Sequence, residues 1–133
     1  MSEIALIVRP ELQTSAGAVG MLENGSVTVD SGLSVVHGLG STINGALISV
    51  TPFNEGDSIS FTPVASITGL NAFGLLGLEG NATVAEYRLA LRSVVYASNA
   101  DVPPASVTVE FRINDSVHNS NTVSRVINIT QLN

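Results

Sequence analysis

Two histidines are the side chains of this 133-residue chain best suited to acid–base catalysis or metal binding. His37 and His118 lie in loops rich in glycine or asparagine, far apart in sequence and without the H-x-x-x-H spacing of a metal site. The chain contains no cysteine, which excludes thiolate ligands and thiol nucleophiles. Serines are abundant, but the G-x-S-x-G motif is missing. A lone histidine in a loop is ordinarily a solvated side chain, and the sequence pairs neither histidine with an acid–base partner. We therefore expect a protein that is not an enzyme.

Four N-x-S/T sequons make asparagine glycosylation the clearest candidate modification. They begin at Asn24, Asn81, Asn114 and Asn128. The Asn, Ser and Thr content alone gives roughly two sequons by chance, so the excess is slight and the sequence does not favour selection for glycosylation. Asn24 and Asn114 lie near the ends of predicted strands, where we expect them to be accessible.

Tyr87 and Tyr96 have the amphipathic rings that stack on sugars in exposed grooves. Tyr87, however, falls on the apolar face of a predicted helix. A position in the protein core is therefore the favoured interpretation for it, and sugar binding is the alternative.

An apolar run near the N-terminus, which we call the assembly strand, is the most suggestive functional element. It consists of Ile4, Ala5, Leu6, Ile7 and Val8. An uncharged strand of this kind is an aggregation hazard unless a partner covers its edge. Two interpretations remain open: it is the first edge strand of its own domain, or it inserts into a neighbouring copy by strand addition. Pro10 and the flexible segment QTSAGA (13–18) are suited to form a tether after the strand, which favours donation.

The composition indicates a sparsely charged, hydroxyl-rich surface: 44% of the residues are hydrophobic, only 12% are charged, and the net charge is −6. Lysine is absent and the five arginines are scattered, so the clustered basic footprint of a nucleic-acid-binding protein is missing. No segment approaches the roughly 20 apolar residues of a membrane span. The absence of cysteine is compatible with both cytosolic and extracellular locations.

Hydrophobic periodicity indicates a protein built almost entirely of strands. Apolar or alternating runs occur at residues 26–30, 33–36, 46–51, 58–62, 73–78, 94–97, 106–114 and 122–130. Residues 106–114 give the strongest pattern, with apolar side chains at 107, 109, 111 and 113. Turn signals between the runs, such as Asn-Gly, recur at a spacing typical of a β-sandwich.

One short helix is predicted over residues 83–92. Thr83 and Glu86 form the T-x-x-E pattern of a capping box, in which each side chain satisfies a free amide of the first turn. Val84, Tyr87 and Leu91 then lie on one face. We expect this helix to close one end of the sandwich.

Four segments, taken in order, carry a resemblance to a known family. They are residues 23–35, 45–61, 67–96 and 109–130, and their most specific parts are GNATVAEYRLALRSVVY (80–96) and FRINDSVHNSN (111–121). These segments are similar to the cadherin-like, immunoglobulin-type β-sandwich repeats of large bacterial surface adhesins. The resemblance implies an all-β, antiparallel sandwich with one short helix, in an extracellular or cell-surface protein.

The same resemblance raises calcium as a candidate cofactor, because acidic residues near module junctions of that family commonly hold calcium. The paired aspartates that usually follow the LSV segment are replaced here by Val36 and His37. The residues that can be carried over are Glu23, Asn114 and Asp115. Calcium takes about six to eight oxygen ligands, so three residues are too few to assign a site and no metal is predicted.

The family builds long rods from tandem modules, whereas this chain holds one module, so any rod must form by noncovalent contact. We divide the chain into an N-terminal strand (1–10), a tether with the first part of the sandwich (11–22) and the sandwich domain (23–133). The predicted function is a structural subunit of an extracellular filament, with further copies of itself as partners. The alternatives are a monomeric adhesin module that binds a glycan or host protein, and a virion surface protein.

Overall fold

The computed structural model describes residues 9–38, 40–100 and 102–132. The strands of this part are β1 (Glu11–Gln13), β2 (Val19–Leu22), β3 (Ser26–Thr28), β4 (Ser34–Val36), β5 (Thr42–Thr51), β6 (Ser58–Ser60), β7 (Thr68–Ala72), β8 (Leu75–Thr83), β9 (Val95–Ala97), β10 (Ser106–Asn114) and β11 (Val123–Thr130). Helix α1 spans Val84–Arg92. The assembly strand, residues 4–8, lies outside the described residues.

The strands form the two layers of a β-sandwich, which confirms the prediction of an all-β sandwich with one short helix. The larger sheet has the order β2-β11-β10-β5-β8-β7 and the smaller one β3-β9-β6, while β1 and β4 form a separate pair. Neighbouring strands are antiparallel, except that β2 runs parallel to β11. The end strands are therefore β2 and β7 in the larger sheet and β3 and β6 in the smaller one.

Alternation along the strands buries one side of each layer in a single core. In β10 the apolar side chains at 107, 109, 111 and 113 are buried and Glu110 and Arg112 are exposed, as predicted. Tyr87 of α1 and Tyr96 of β9 are fully buried in the same core. Burial of such large side chains is the main favourable contribution to folding, at roughly 1.5–3 kcal/mol each.

Helix α1 begins where the capping box predicts. Thr83 is the N-cap; its hydroxyl accepts a hydrogen bond from the Glu86 amide at 3.1 Å, and the Glu86 carboxylate accepts one from the Thr83 amide at 2.9 Å. The helix buries Tyr87, Ala90 and Leu91. The prediction of a helix at residues 83–92 is confirmed.

The strand register defines two ends of the sandwich, which we name after a residue at each. At the His37 end, Thr42 of β5 pairs with Thr83 and Gly45 pairs with Asn114. At the Phe53 end, Thr51 of β5 pairs with Thr108. The ten residues of β5 separate the two ends by about 30 Å.

A fully buried aspartate connects the N-terminal strands to the rest of the fold. Asp30 accepts hydrogen bonds from the amide and hydroxyl of Ser15, both at 2.7 Å, and from the amide of Gly32 at 3.0 Å. Its carboxylate lies 3.7 Å from the guanidinium of Arg125. Segment 13–18 therefore includes the last residue of β1, Gln13, and Ser15, which Asp30 holds in place, so it is not a free tether.

Several strands differ from the predicted ones. The strand predicted at 73–78 is β8, which begins at Leu75 because Phe73 and Gly74 form the turn from β7, with Gly74 at φ 80°. Strands β1, β2 and β7 were not predicted individually. They are short, and β7 is exposed along its whole length, so it has no apolar alternation.

Candidate functional site

A cleft opens between the edge strands β6 and β7, where the two layers of the sandwich separate. This cleft, which we call the seam cleft, has a volume of about 300 Å³. Its lining includes Phe53, Asp57, Ile59, Asn71, Ala72 and Phe73. Since β6 and β7 are each the last strand of a sheet, both present main-chain groups on one side that no described strand pairs with. The cleft therefore offers unpaired backbone beside an apolar floor.

Aromatic rings border the seam cleft at the Phe53 end. Phe53 and Phe73 make an edge-to-face contact, with ring centroids 4.9 Å apart and planes at 90°. Phe73 is 71% exposed and Leu70 of β7 is 76% exposed. Exposed apolar groups beside an open sheet edge are typical of a surface that a partner covers.

Asp57 supplies a polar group in this apolar setting. Its Oδ2 atom accepts hydrogen bonds from the Asn54 amide at 2.9 Å and from the Tyr96 hydroxyl at 2.8 Å. Its Oδ1 atom is buried and has no hydrogen-bond partner among the described residues. Burial, together with the bond to the Asp57 carboxylate, raises the pKa of Tyr96, so the tyrosine remains a donor.

Arg9 and Pro10, which precede β1, lie at the end of the sandwich opposite to the seam cleft. Glu11 of β1 pairs with Val36, directly before His37. Arg9 is exposed and Pro10 is buried. The chain before Arg9 is thus attached at the His37 end, whereas Phe53 and Phe73 lie at the Phe53 end.

His37 is not the solvated loop side chain that the sequence suggests. Its side chain is only 3% exposed, and its Nε2 atom lies 2.9 Å from Oδ2 of Asp115. A carboxylate can only accept, so Nε2 carries the hydrogen. The other ring nitrogen, Nδ1, is buried without a partner among the described residues. The prediction of a solvated His37 was wrong because the fold brings together two loops that are distant in sequence.

The carboxylate of Asp115 is held by a set of N–H donors. The amides of His118 and Val117 donate to Oδ1 at 2.6 and 2.9 Å. The His118 amide is the largest cause that lowers the pKa of Asp115, and Val117 and His37 lower it further. His118 thus contributes through its backbone.

The lowered pKa of Asp115 predicts a loss of stability in acid. The folded state binds a proton at this carboxylate less readily than the unfolded chain does, so the contribution is fully present above about pH 4 and is lost as the pH falls through the lowered pKa. We expect the free energy of unfolding to fall less steeply between about pH 5 and pH 2 in Asp115→Asn than in the wild type. Urea denaturation measures this slope. Glu110→Gln is the control: it removes an exposed carboxylate and should keep the wild-type dependence of stability on pH. If Asp115→Asn also kept the wild-type dependence, the lowered pKa of Asp115 would be contradicted.

The three calcium candidates do not share one place. Asn114 and Asp115 lie at the His37 end, whereas Glu23 follows β2 at the Phe53 end, where its amide donates to the Thr130 carbonyl. The Glu23 carboxylate accepts a hydrogen bond from the Leu132 amide. Across residues 9–38, 40–100 and 102–132, no three His, Asp or Glu side chains converge as a metal site would require.

The four sequons differ in accessibility. Asn24 is exposed in a turn at φ 62°, and Asn128 is exposed on β11. The side-chain amide of Asn81 donates to Thr42 and Asn44, at 3.3 and 3.4 Å. Asn114 is half-buried, and its side chain accepts a hydrogen bond from the Ser116 amide. A glycan is therefore most easily accommodated at Asn24 and Asn128.

The tyrosines are core residues and offer no stacking platform for sugars. Both are fully buried. The Tyr87 hydroxyl donates to the Gly80 carbonyl at 2.7 Å, and burial, aided by the nearby Glu79 carboxylate, raises the pKa of Tyr87 to about 12.

Two further cavities have different surroundings. One of about 400 Å³ lies beside His37, Val84 and Arg88, and one of about 390 Å³ lies over Gly77 on the outer face of the larger sheet. Neither is bordered by the last strands of both sheets. Of these three cavities, the seam cleft is the one that combines the last strands of both sheets with a mainly apolar lining.

Comparison of the chain with family models, with curated proteins and with solved structures found no match to any of them. In the described part of the chain, no helix has both the length and the apolar character needed to cross a membrane.

Proposed function

We propose that this chain is a structural subunit of an extracellular filament or surface fibre. Subunits assemble head to tail when the assembly strand of one copy enters the seam cleft of the next. The observation that carries the proposal is the position of the cleft, which opens at the end of the sandwich opposite to the attachment of residues 4–8.

Chain length argues that a strand from residues 4–8 in the seam cleft comes from a neighbouring copy. From Arg9 back to Ile4 a fully extended chain reaches at most about 18 Å. The two ends of the sandwich are separated by the length of β5, about 30 Å. The assembly strand is therefore too short to fill the seam cleft of its own subunit near Phe53 and Phe73, whereas a copy stacked on the next one brings the two together.

The chemistry of the two partners is complementary. Residues 4–8 carry apolar side chains only, so alternate residues can pack against the floor formed by Phe53, Ile59 and Phe73. Their main chain can pair with the open edge of β6 or β7, which is the usual source of affinity in strand addition. The sandwich architecture is also the one that the resemblance to cadherin-like repeats implies, and those repeats belong to extracellular proteins.

Deletion of residues 1–10 tests the proposal. We expect the wild-type protein to form filaments in electron micrographs and the deleted protein to elute as a soluble monomer in size-exclusion chromatography. Unchanged assembly of the deleted protein would refute strand donation. Saturable binding of a glycan by a wild-type monomer would instead favour the adhesin alternative.

A further inference from the structure

Resting on the proposed function, we infer that the donated strand joins the larger sheet at the free edge of β7, runs parallel to β7 and pairs with the main chain of Gly69 and Asn71. The ligand class of this edge is an extended, apolar peptide, supplied by residues 4–8 of a second copy.

Strand β7 lacks the features that normally block strand addition at a sheet edge. All five of its residues are exposed, none of them is charged or a proline, and β7 pairs with β8 without a bulge. Natural sheets usually protect an edge by a charge, a proline, a bulge or a very short strand. The edge of β6, on the other side of the seam cleft, offers only three residues, and the middle one, Ile59, is buried. β7 is therefore the longer and the more open of the two edges.

The alternation of hydrogen bonds shows which main-chain groups of β7 point away from β8. The Val50 amide donates to the Gly74 carbonyl at 2.9 Å, so the next residue, Leu75, directs its own main-chain groups away from β5 and towards its partner in β7. Because the direction alternates along the strand, the N–H and C=O groups of Asn71 and Gly69 lie on the free side of β7. Asn71 also lines the seam cleft, and both residues are exposed, so an entering strand can reach this edge.

Strand β7 runs from the His37 end towards the Phe53 end. Thr68, its first residue, pairs with Glu79, which pairs in turn with Gly45 at the His37 end. Phe73 follows the last residue of β7 and contacts Phe53.

End-to-end stacking determines the direction of the donated strand. The neighbouring subunit lies beyond the Phe53 end, so Val8, which is closest to the body of that subunit, lies nearest this end and Ile4 lies deepest. From Ile4 to Val8 the donated strand therefore runs towards the Phe53 end, as β7 does. The same sheet already has one edge strand in this arrangement, because β2 runs parallel to β11 at the opposite edge.

Amide hydrogen exchange measured by NMR identifies the edge that the strand joins. The acceptor is the full-length, ¹⁵N-labelled Leu6→Pro chain, since proline in the assembly strand blocks the chain's own donation. The probe is an unlabelled peptide of residues 1–10. At saturating peptide we expect exchange of the Gly69 and Asn71 amides to slow at least about tenfold, because new hydrogen bonds protect them. The amides of β6, Ser58–Ser60, should exchange as they do without peptide.

A nitroxide label on the same peptide tests the direction. The two ends of β7 lie about 13 Å apart, a distance over which paramagnetic broadening falls steeply. With the label at the N-terminus of the peptide, we expect the amide signal of Thr68 to broaden more than that of Ala72. With the label at the C-terminus, Ala72 should broaden more.

Proline at position 71 tests the main-chain pairing. Asn71→Pro removes an N–H on the free side of β7 and leaves the bonds to β8 in place. We expect its affinity for the peptide, measured by fluorescence anisotropy in the Leu6→Pro background, to fall about tenfold or more. Asn71→Thr is the matched control, because it changes the side chain but keeps the N–H, and it should bind as tightly as the parent.

The outcomes separate this inference from the proposed function. Protection of Ser58–Ser60 in place of Gly69 and Asn71 would overturn the assignment to β7 while leaving donation intact. The reverse pattern of broadening would overturn the parallel direction, and equal affinity of the parent and Asn71→Pro would overturn the main-chain pairing. Absence of peptide binding to the parent would overturn the seam cleft as the acceptor, and the filament assay then judges donation independently.

Discussion

Replacement of Asp30 by alanine is expected to lower the free energy of unfolding by about 3–5 kcal/mol, because it removes a fully buried carboxylate whose hydrogen bonds contribute roughly 1.5–3 kcal/mol each. Asp30 is fully buried, and its carboxylate accepts three hydrogen bonds from Ser15 and Gly32. Without it, the Ser15 amide loses its partner and the guanidinium of Arg125 loses its counter-charge. Because folded domains have only about 5–15 kcal/mol of stability, this variant should lose much of it.

Urea denaturation followed by circular dichroism measures this effect. Glu110→Ala is the matched control, since it removes an exposed carboxylate from the outer face of β10 and should change stability by less than about 0.5 kcal/mol. A loss below about 1 kcal/mol in Asp30→Ala, the level of a surface ion pair, would contradict the role given to this network.

Leu6→Pro is expected to abolish filament formation without unfolding the sandwich. Proline removes one main-chain N–H and restricts the backbone, so a strand that contains it cannot complete the ladder of a neighbouring sheet. The described core consists of residues beyond the assembly strand and should remain folded. Negative-stain electron microscopy and size-exclusion chromatography measure the outcome, with monomers expected in place of filaments.

Leu6→Ile is the control for this substitution, because it keeps the volume and the apolar character and should assemble like the wild type. Filaments of Leu6→Pro with wild-type length would show that the assembly strand does not enter a sheet of another subunit. Loss of the folded circular dichroism signal would instead show that residues 4–8 are part of their own domain, which is the other interpretation that the sequence leaves open.

Much of the fold can be predicted from the sequence where local signals agree with tertiary packing. β10 alternates strictly from Val107 to Ile113 because one face meets the core and the other meets solvent, and the capping box at Thr83 specifies where α1 begins. β7 could not be predicted in this way. Its residues are exposed on both faces, so neither burial nor amphipathic periodicity marks it.

The candidate site was less accessible to sequence reasoning because it depends on contacts between distant segments. His37 and Asp115 are 78 residues apart, and Asp57 and Tyr96 are 39 apart, so neither pair leaves a local motif. The unpaired oxygen of Asp57 becomes apparent only when the other oxygen is seen to be occupied. The apolar run at residues 4–8, by contrast, is evident in the sequence itself.

Disulfide trapping tests the central claim most directly, because the chain has no cysteine of its own. One preparation carries Leu6→Cys in the assembly strand and a second, of different mass, carries Phe73→Cys at the rim of the seam cleft. The two are mixed from the monomeric state, allowed to assemble, oxidised and separated on a non-reducing gel. Val117→Cys, 76% exposed near the His37 end, replaces the second variant as the control.

The account predicts a disulfide-linked heterodimer between the Leu6→Cys and Phe73→Cys chains, and far less of it with Val117→Cys. A chain that carries both Leu6→Cys and Phe73→Cys should likewise give a ladder of covalent oligomers. A disulfide that forms only within single chains, or no heterodimer above the level of the control, would contradict the claim that one subunit completes the sheet of the next.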